Sequence, residues 1–253
     1  MSNFQIIMHE WPNSLFGKIG KTVDLAFADP PYNYKIKYKN DTTQDNLPVH
    51  KYRALMVQTL LAIKDCVKDG GTIWWLCPAE DGFWIWSFID SVLDLKLMYD
   101  KPIIWHERFS QYQQKQLTSD YRLLFPIVVN ADKPNNFNPD YIREESVRQQ
   151  MGDKRADPRG RVPGHVWSAR RLQGTALHRV GWHPAQLPPE PLERIIEGWT
   201  MVDDTVLDAF AGSGSMAMPT LSAECKFIGV DKSLEYCNLI HTRVEGALNA
   251  IKE

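Results

Sequence analysis

The 253-residue chain is poor in cysteine: Cys66, Cys77, Cys225 and Cys237 form no CxxC pair. That spacing excludes the usual zinc and disulfide frameworks and points to buried, reduced thiols in a cytoplasmic protein. No segment approaches the roughly 18 consecutive apolar residues of a membrane span. The N-terminus shows no basic region followed by an apolar stretch, so no secretory signal is read there. Charge of one sign is also lacking, with 29 Lys+Arg against 31 Asp+Glu and a formal net charge of −2. No Gly-Lys-Ser or Gly-Lys-Thr follows the glycines at 212 and 214, which argues against a phosphate-gripping P-loop there. With 43% hydrophobic and 24% charged residues, the composition is that of a globular chain long enough for one large core.

The near-neutral total conceals an asymmetry. From Lys101 to Ala185 there are 14 Lys+Arg and 8 Asp+Glu, a net of +6, whereas the rest of the chain carries a net of −8. A basic segment in an acidic chain is one mark of a region that meets a polyanion. A basic surface loop without a ligand would have the same composition.

Periodicity predicts strands over Phe4–Met8, Val23–Ala28, Thr72–Leu76, Leu97–Trp105, Tyr121–Val129, Thr205–Phe210 and Phe227–Val230. It predicts helices over Tyr52–Val67, stopped by Asp69-Gly70-Gly71, and over 83–93, Pro189–Trp199, Ser215–Ser222 and 233–251. Strands alternating with helices imply an α/β fold, a doubly wound and mostly parallel sheet with helices on both faces. Residues 131–180 break the rhythm with charged, Pro- and Gly-containing sequence, and read as a loop-rich insertion.

Three segments stand out chemically. Asp29-Pro30-Pro31-Tyr32 directly follows the strand Val23–Ala28, at the carboxyl end where open α/β sheets present ligands. Its prolines fix φ, making a rigid turn with a carboxylate, carbonyl oxygens and an aromatic face. Those groups suit a planar ring bearing an exocyclic amine; they would also suit a stiff turn with a capping aspartate. The second segment is Asp208-Ala209-Phe210-Ala211-Gly212-Ser213-Gly214-Ser215, followed by a strand ending in Asp231, 17 residues beyond Gly214. Strand, GxG, helix, strand and acid in that order follow the logic of a nucleotide site, with the acid on ribose hydroxyls. A tight strand-to-helix turn with a solvent-facing acid would read alike. The third, His183-Pro184-Ala185-Gln186-Leu187-Pro188, alone reads only as a loop entering a helix.

Together these segments resemble the amino-methyltransferases of DNA that use S-adenosylmethionine, in the permuted (β) group where the DPPY motif precedes the cofactor motif. Asp29 to Tyr32 match DPPY, and Asn33 after them also fits. Lys68-Asp69-Gly70-Gly71 resembles the family's Lys-Pro-Gly-Gly turn, and Val166-Trp167, with Arg170 and Gly174, the segment leading to the cofactor loop. His183 to Pro188 resemble His-Pro-Thr-Gln-Lys-Pro, and Asp208 to Ser215 resemble Asp-Pro-Phe-x-Gly-Ser-Gly-Thr. Leu187 stands in place of Lys, Ala209 in place of Pro, and Met8-His9-Glu10 in place of Gly-Asp-Cys.

The resemblance implies a class I, Rossmann-like and circularly permuted methyltransferase domain. Its catalytic half would span residues 1–106, a target-recognition region 107–180 and the cofactor half 181–253. It implies transfer of a methyl group to the N6 amine of adenine in a short duplex site, with the base flipped out of the helix. Asp29, Pro30, Pro31 and Tyr32 would be catalytic. Asp29, His183, Gln186, Asp208, Phe210, Gly212, Gly214, Ser215 and Asp231 would hold the cofactor, and no metal would be needed. Arg143, Arg148, Lys154, Arg155, Arg159, Arg161, Arg170 and Arg171 would meet double-stranded DNA. A cytosine-N4 enzyme and a DNA-binding relative without catalysis are the alternatives. Trp74, Trp75, Trp84 and Trp86 are expected in the core or at a homodimer interface, and any restriction nuclease would be a separate chain.

Overall fold

The computed structural model describes residues 3–36, 45–92, 94–108, 114–115, 117–172 and 179–252. The strands are β1 (Phe4–Met8), β2 (Val23–Ala28), β3 (Val67–Pro78), β4 (Leu95–Leu97), β5 (Ile103–Glu107), β6 (Tyr121–Val129), β7 (Val166–Ala169), β8 (Thr205–Asp208) and β9 (Lys226–Asp231). The helices are α1 (Phe16–Ile19), α2 (Val49–Lys64), α3 (Gly82–Ser91), α4 (Val147–Gln150), α5 (Pro189–Trp199), α6 (Ala217–Ser222) and α7 (Leu234–Lys252). The described strands form one sheet in the order β1-β9-β8-β2-β3-β6-β5-β7, with β4 also paired to β6. Pairs β1–β9, β9–β8, β8–β2, β2–β3 and β5–β7 are parallel, whereas β6 runs antiparallel to β3, β4 and β5.

The central strands are continuous apolar runs because both of their faces are covered. On one face Ala26, Ile73, Trp75 and Phe125 pack with Met56, Leu60 and Ile63 of α2 and Ile85 and Ile89 of α3. On the other, Leu25, Phe27, Trp74 and Leu124 pack with Leu192 and Ile195 of α5, Met216 before α6, and Ile240 of α7. The period-2 alternation of Ile73 and Trp75 against Trp74 and Leu76 is therefore a division between two cores.

Helix α5 begins with Pro189 in its first turn, where a missing N–H costs nothing, and its span is the one the periodicity predicts. Three expectations need correction. The helix placed at Tyr52–Val67 spans Val49–Lys64, and Asp69-Gly70-Gly71 lies inside β3, where the register with β2 shifts between Val23 and Leu25. The predicted strand Leu97–Trp105 is interrupted, because Tyr99 and Asp100 take positive φ (60° and 53°) before Pro102 and the chain restarts as β5. Within the segment read as loop, Val166–Ala169 forms β7, paired to β5.

Candidate active site

Strands β8 and β2 are neighbours, yet β8 continues the sheet through β9 on one side and β2 through β3 on the other. Their carboxyl ends thus flank a topological switch point, the natural crevice of an open α/β sheet. The register sets Phe27 opposite Asp208, and the Ala209 N–H donates to the Phe27 carbonyl at 2.9 Å. Two motifs about 180 residues apart in sequence are thereby joined by backbone hydrogen bonding. Above them lies a cavity of about 650 Å³, whose walls include Asp29, Pro30, Pro31, Tyr32, His183, Gln186, Asp208, Phe210, Gly212, Ser215 and Asp231.

On the β8 side, the loop turns back under the cavity. The Asp231 carboxylate accepts the Gly212 N–H at 3.1 Å and the Ser233 N–H at 2.8 Å, which ties the tip of β9 to the glycine loop. Gly212 and Gly214 both have positive φ, 45° and 73°, where a side chain is strained. A Cβ on Gly212 would also lie 2.7 Å from Nε2 of His183. Gly214 does not itself line the cavity; it packs against Ile240. His183 is buried, and burial lowers its pKa from 6.5 to about 4. Its neutral Nδ1 accepts the Ala185 N–H at 3.3 Å. The side-chain oxygen of Gln186 accepts the Val180 N–H at 2.7 Å, closing the loop before α5. The Leu187 that stands in place of a lysine is buried on this wall.

Acidic groups crowd the floor. Burial raises Asp208 from 3.8 to about 8; the Phe210 N–H opposes this, and Asp29 and Asp231 reinforce it. Asp231 is raised too by burial, against the pull of the Ser233 and Gly212 N–H groups.

On the β2 side, the Tyr32 hydroxyl donates a short hydrogen bond to Oδ1 of Asp29. Asn33, at φ 61°, closes the following loop: its amide exchanges hydrogen bonds with the backbone of Leu47, at 2.9 and 2.6 Å. Burial raises the Asp29 carboxyl, Arg122 and Tyr32 lower it, and Glu107 adds to the rise.

The sequence motifs do not contain every residue of the site. Arg122, at the start of β6, donates to the Tyr32 hydroxyl at 3.2 Å and pairs with Glu107 of β5 at 2.5 Å. It is the one charged residue of β6, and that isolation in an apolar strand was the available signal. Trp11 donates its Nε1–H to the Ala209 carbonyl at 2.7 Å, and Arg243 of α7 donates to the Ser213 carbonyl at 2.5 Å. Nothing in their local sequence marks either.

The basic segment divides in two. None of residues 123–170 lines the cavity. Asn135 bonds to Asp69 and Gly70 at the start of β3, and Asn136 to Asp204 just before β8, so the chain after β6 crosses the opposite edge of the sheet. It then packs on α5, where Glu144 bonds both Arg194 and Arg161. Arg143 is engaged by Asp140 and the Gly160 carbonyl, Arg155 by Asp153, and Arg159 by Asp157. Arg148, Lys154 and Arg170 are exposed, and Arg171 lines the cavity. Gly174 lies outside the described residues. Trp74 and Trp75 are fully buried core, whereas Trp86 remains 42% exposed on α3.

The sequence matches the DNA methylase family over residues 23–242. The chain belongs to the DNA methylase family. Among curated relatives, the methylase is 40% identical to the type II methyltransferase M2.DpnII of Streptococcus pneumoniae, covering 96% of this chain and 90% of that protein. It is 29% identical to the DNA adenine methyltransferase YhdJ of Escherichia coli, covering 90% and 78%. Among solved structures, its fold is similar to the cytosine-N4-specific PvuII DNA methyltransferase, with a TM-score of 0.66 at 14% identity, covering 96% and 86% of the two chains. It is also similar to M1.HpyAVI in complex with SAM, at TM-score 0.60 and 18% identity, covering 95% and 99%. Among the described residues, no helix is long and apolar enough to cross a membrane.

Proposed function

We propose that this methylase transfers a methyl group from S-adenosylmethionine to the N6 amine of adenine in duplex DNA, and that it belongs to the permuted β group. The order of the motifs supports the permuted reading: Asp29 to Tyr32 come before Asp208 to Ser215 in the chain. The observation that carries the proposal is the single crevice in which Asp29 and Tyr32 meet Gly212 and Asp231.

The residues on the β8 side fit the cofactor. The carboxylates of Asp231 and, across the crevice, Asp29 suit a cationic ligand, and Gly212 keeps the loop free of a Cβ that His183 would obstruct. S-adenosylmethionine supplies an electrophilic methyl group on a sulfonium. Asp231 would accept from ribose hydroxyls, while Phe210, Ser215, His183 and Gln186 shape the walls around it. Gly214 acts one step back, through the turn it allows.

The chain's other task is to prepare a weak nucleophile. The lone pair of an aryl amine is delocalised into its ring, so Asp29 and the Pro30 carbonyl would accept its two N–H groups and favour a pyramidal nitrogen. Pro31 holds the turn. Tyr32 would stack on the base once it leaves the duplex, and alignment of amine and methyl contributes the remainder through orientation. Duplex DNA would meet the exposed Arg148, Lys154, Arg155, Arg159, Arg161, Arg170 and Arg171, with Arg171 closest to the cavity. Arg143 would act by holding the loop that carries residues 148–161. The domain division at 107 and 180 is kept as functional halves and a recognition region, within one continuous sheet. A homodimer is part of the same proposal, supported by Phe83 and Trp86, exposed to 91% and 42% on α3.

A second reading, cytosine-N4 transfer, draws on the similarity to the PvuII enzyme's fold. The resemblance favours adenine, because the cytosine group more often begins its motif with Ser. Labelled S-adenosylmethionine, genomic DNA and nucleoside mass spectrometry decide between them. The expected product is 6-methyladenine, and 4-methylcytosine would overturn the base assignment. Asp29→Ala should abolish transfer while cofactor binding persists. Absence of transfer by the wild-type protein, with DNA binding retained, would establish the inactive relative.

A further inference from the structure

The cluster on β5 and β6 has no part in the motifs, yet it touches both groups that would handle the target base. Arg122 is registered opposite Pro78 of β3 and Trp105 of β5, at the edge of the sheet where the cavity opens. Its guanidinium lies over the Trp105 ring, 5.2 Å from the centroid. Nη2 is 2.5 Å from Glu107, Nη1 reaches the Tyr32 hydroxyl at 3.2 Å, and Nη1 is 4.0 Å from Oδ2 of Asp29. The side chains of Arg122, Glu107 and Asp29 are 17%, 17% and 18% exposed. A buried arginine is costly unless its charge is used, and here both of its terminal nitrogens are committed.

In this arrangement the Tyr32 hydroxyl occupies Oδ1 of Asp29, one of the two oxygens that could receive an incoming amine. Resting on the methylase reading, we propose that Arg122, fixed by Glu107, is a positioning residue of the transfer site. It holds the Asp29 carboxylate in its amine-accepting form and anchors the Tyr32 hydroxyl when the amine takes that hydroxyl's place. The groups facing Asp29 are Tyr32 on its own turn, Arg122 from β6, Glu107 from β5, Asp208 from β8 and Cys77 from β3. Arg122 is the one cation among them. Its removal leaves a buried carboxylate with anionic and apolar neighbours, so Asp29 takes up a proton at higher pH. Removal of the Glu107 charge has the opposite sign.

Carboxyl-carbon NMR follows the Asp29 midpoint in the free protein, and single-turnover methylation follows the acid limb of the pH profile. Arg122→Met should move both up by about 1–2 pH units, the effect of losing an opposite charge at this range. Glu107→Gln should move both down. Arg122→Lys should restore the midpoint but not the rate, because an ammonium cannot bond Tyr32 and Glu107 in the same planar geometry. Cofactor affinity, measured at a pH where Asp29 is ionised in every variant, should stay at the wild-type value in all three. Unmoved midpoints, or shifts of one sign in Arg122→Met and Glu107→Gln, would overturn the proposal. If Arg122→Met fails to fold, the other two variants still decide. A wild-type protein that transfers nothing to DNA counts against the methylase reading instead, and the NMR midpoints judge Arg122 independently.

Discussion

Gly212→Ala tests the geometry of the cofactor loop with one methyl group. Two costs add at this position. The φ of 45° is left-handed, which costs an L-residue about 1–2 kcal/mol. The new Cβ would sit 2.7 Å from Nε2 and 3.0 Å from Cε1 of His183, a buried imidazole with Tyr236 and Trp182 against it. Moving it costs on the order of 1 kcal/mol more, at the low end of overpacking. Together the substitution should destabilise the protein by about 2–3 kcal/mol, or about 4–12 °C in Tm for a chain of this size. Either response disturbs the cofactor wall, through His183 or through the Gly212 N–H bond to Asp231, so S-adenosylmethionine affinity should fall about tenfold or more, equivalent to about 1.4 kcal/mol. Calorimetry supplies both readouts. Gly246→Ala is the control: that glycine lies in α7 with nothing within 4 Å of its added Cβ, and helix propensity predicts a gain of about 1 kcal/mol. A Gly212→Ala protein with wild-type Tm and wild-type cofactor affinity would refute the reasoning.

Two further outcomes follow from the charges. Asp208 has a folded pKa of about 8 against an ordinary 3.8, so the native state holds a proton that the unfolded chain releases. That stability is present in full below pH ~4 and is lost as pH rises to about 8; denaturant titrations should show a smaller loss across this window in Asp208→Asn. For DNA, the logarithm of affinity should fall linearly with the logarithm of salt, by about 0.9 per phosphate contact. The pair Arg170→Glu and Arg171→Glu should flatten that slope without changing cofactor affinity. Arg155→Glu, already paired with Asp153, should do less, and equal effects from the two substitutions would contradict the placement of Arg171 at the cavity.

Much of the fold was readable in local pattern. Helix α5 follows from an apolar stripe with proline in its first turn, and strands β1, β2 and β6 have the predicted bounds. The three chemical segments were readable because tight turns at strand ends need particular residues: prolines to hold Asp29, glycines for positive φ at 212 and 214. Errors came where one local signal admitted two structures. Asp69-Gly70-Gly71 suits a helix stop and a strand irregularity equally, and only the pairing of Val23 with Val67 selects the second. Strand β7 is four residues long, too short to declare a period. Arg122 is a charge at the end of an apolar strand, and its partners are set only by the place of β6 between β3 and β5.

The sequence by itself determined most of the strands and helices, and which turns carry a carboxylate, an aromatic ring or a glycine. Those properties depend on neighbours within a few residues, through φ/ψ limits and side-chain period. Tertiary structure alone decided the order of the strands. That order set Asp29 beside the glycine loop, Arg122 and Glu107 behind Asp29, and residues 143–161 on α5, away from the cavity. Strand order results from burying both faces of one sheet at once, a condition on the whole chain that no local window contains.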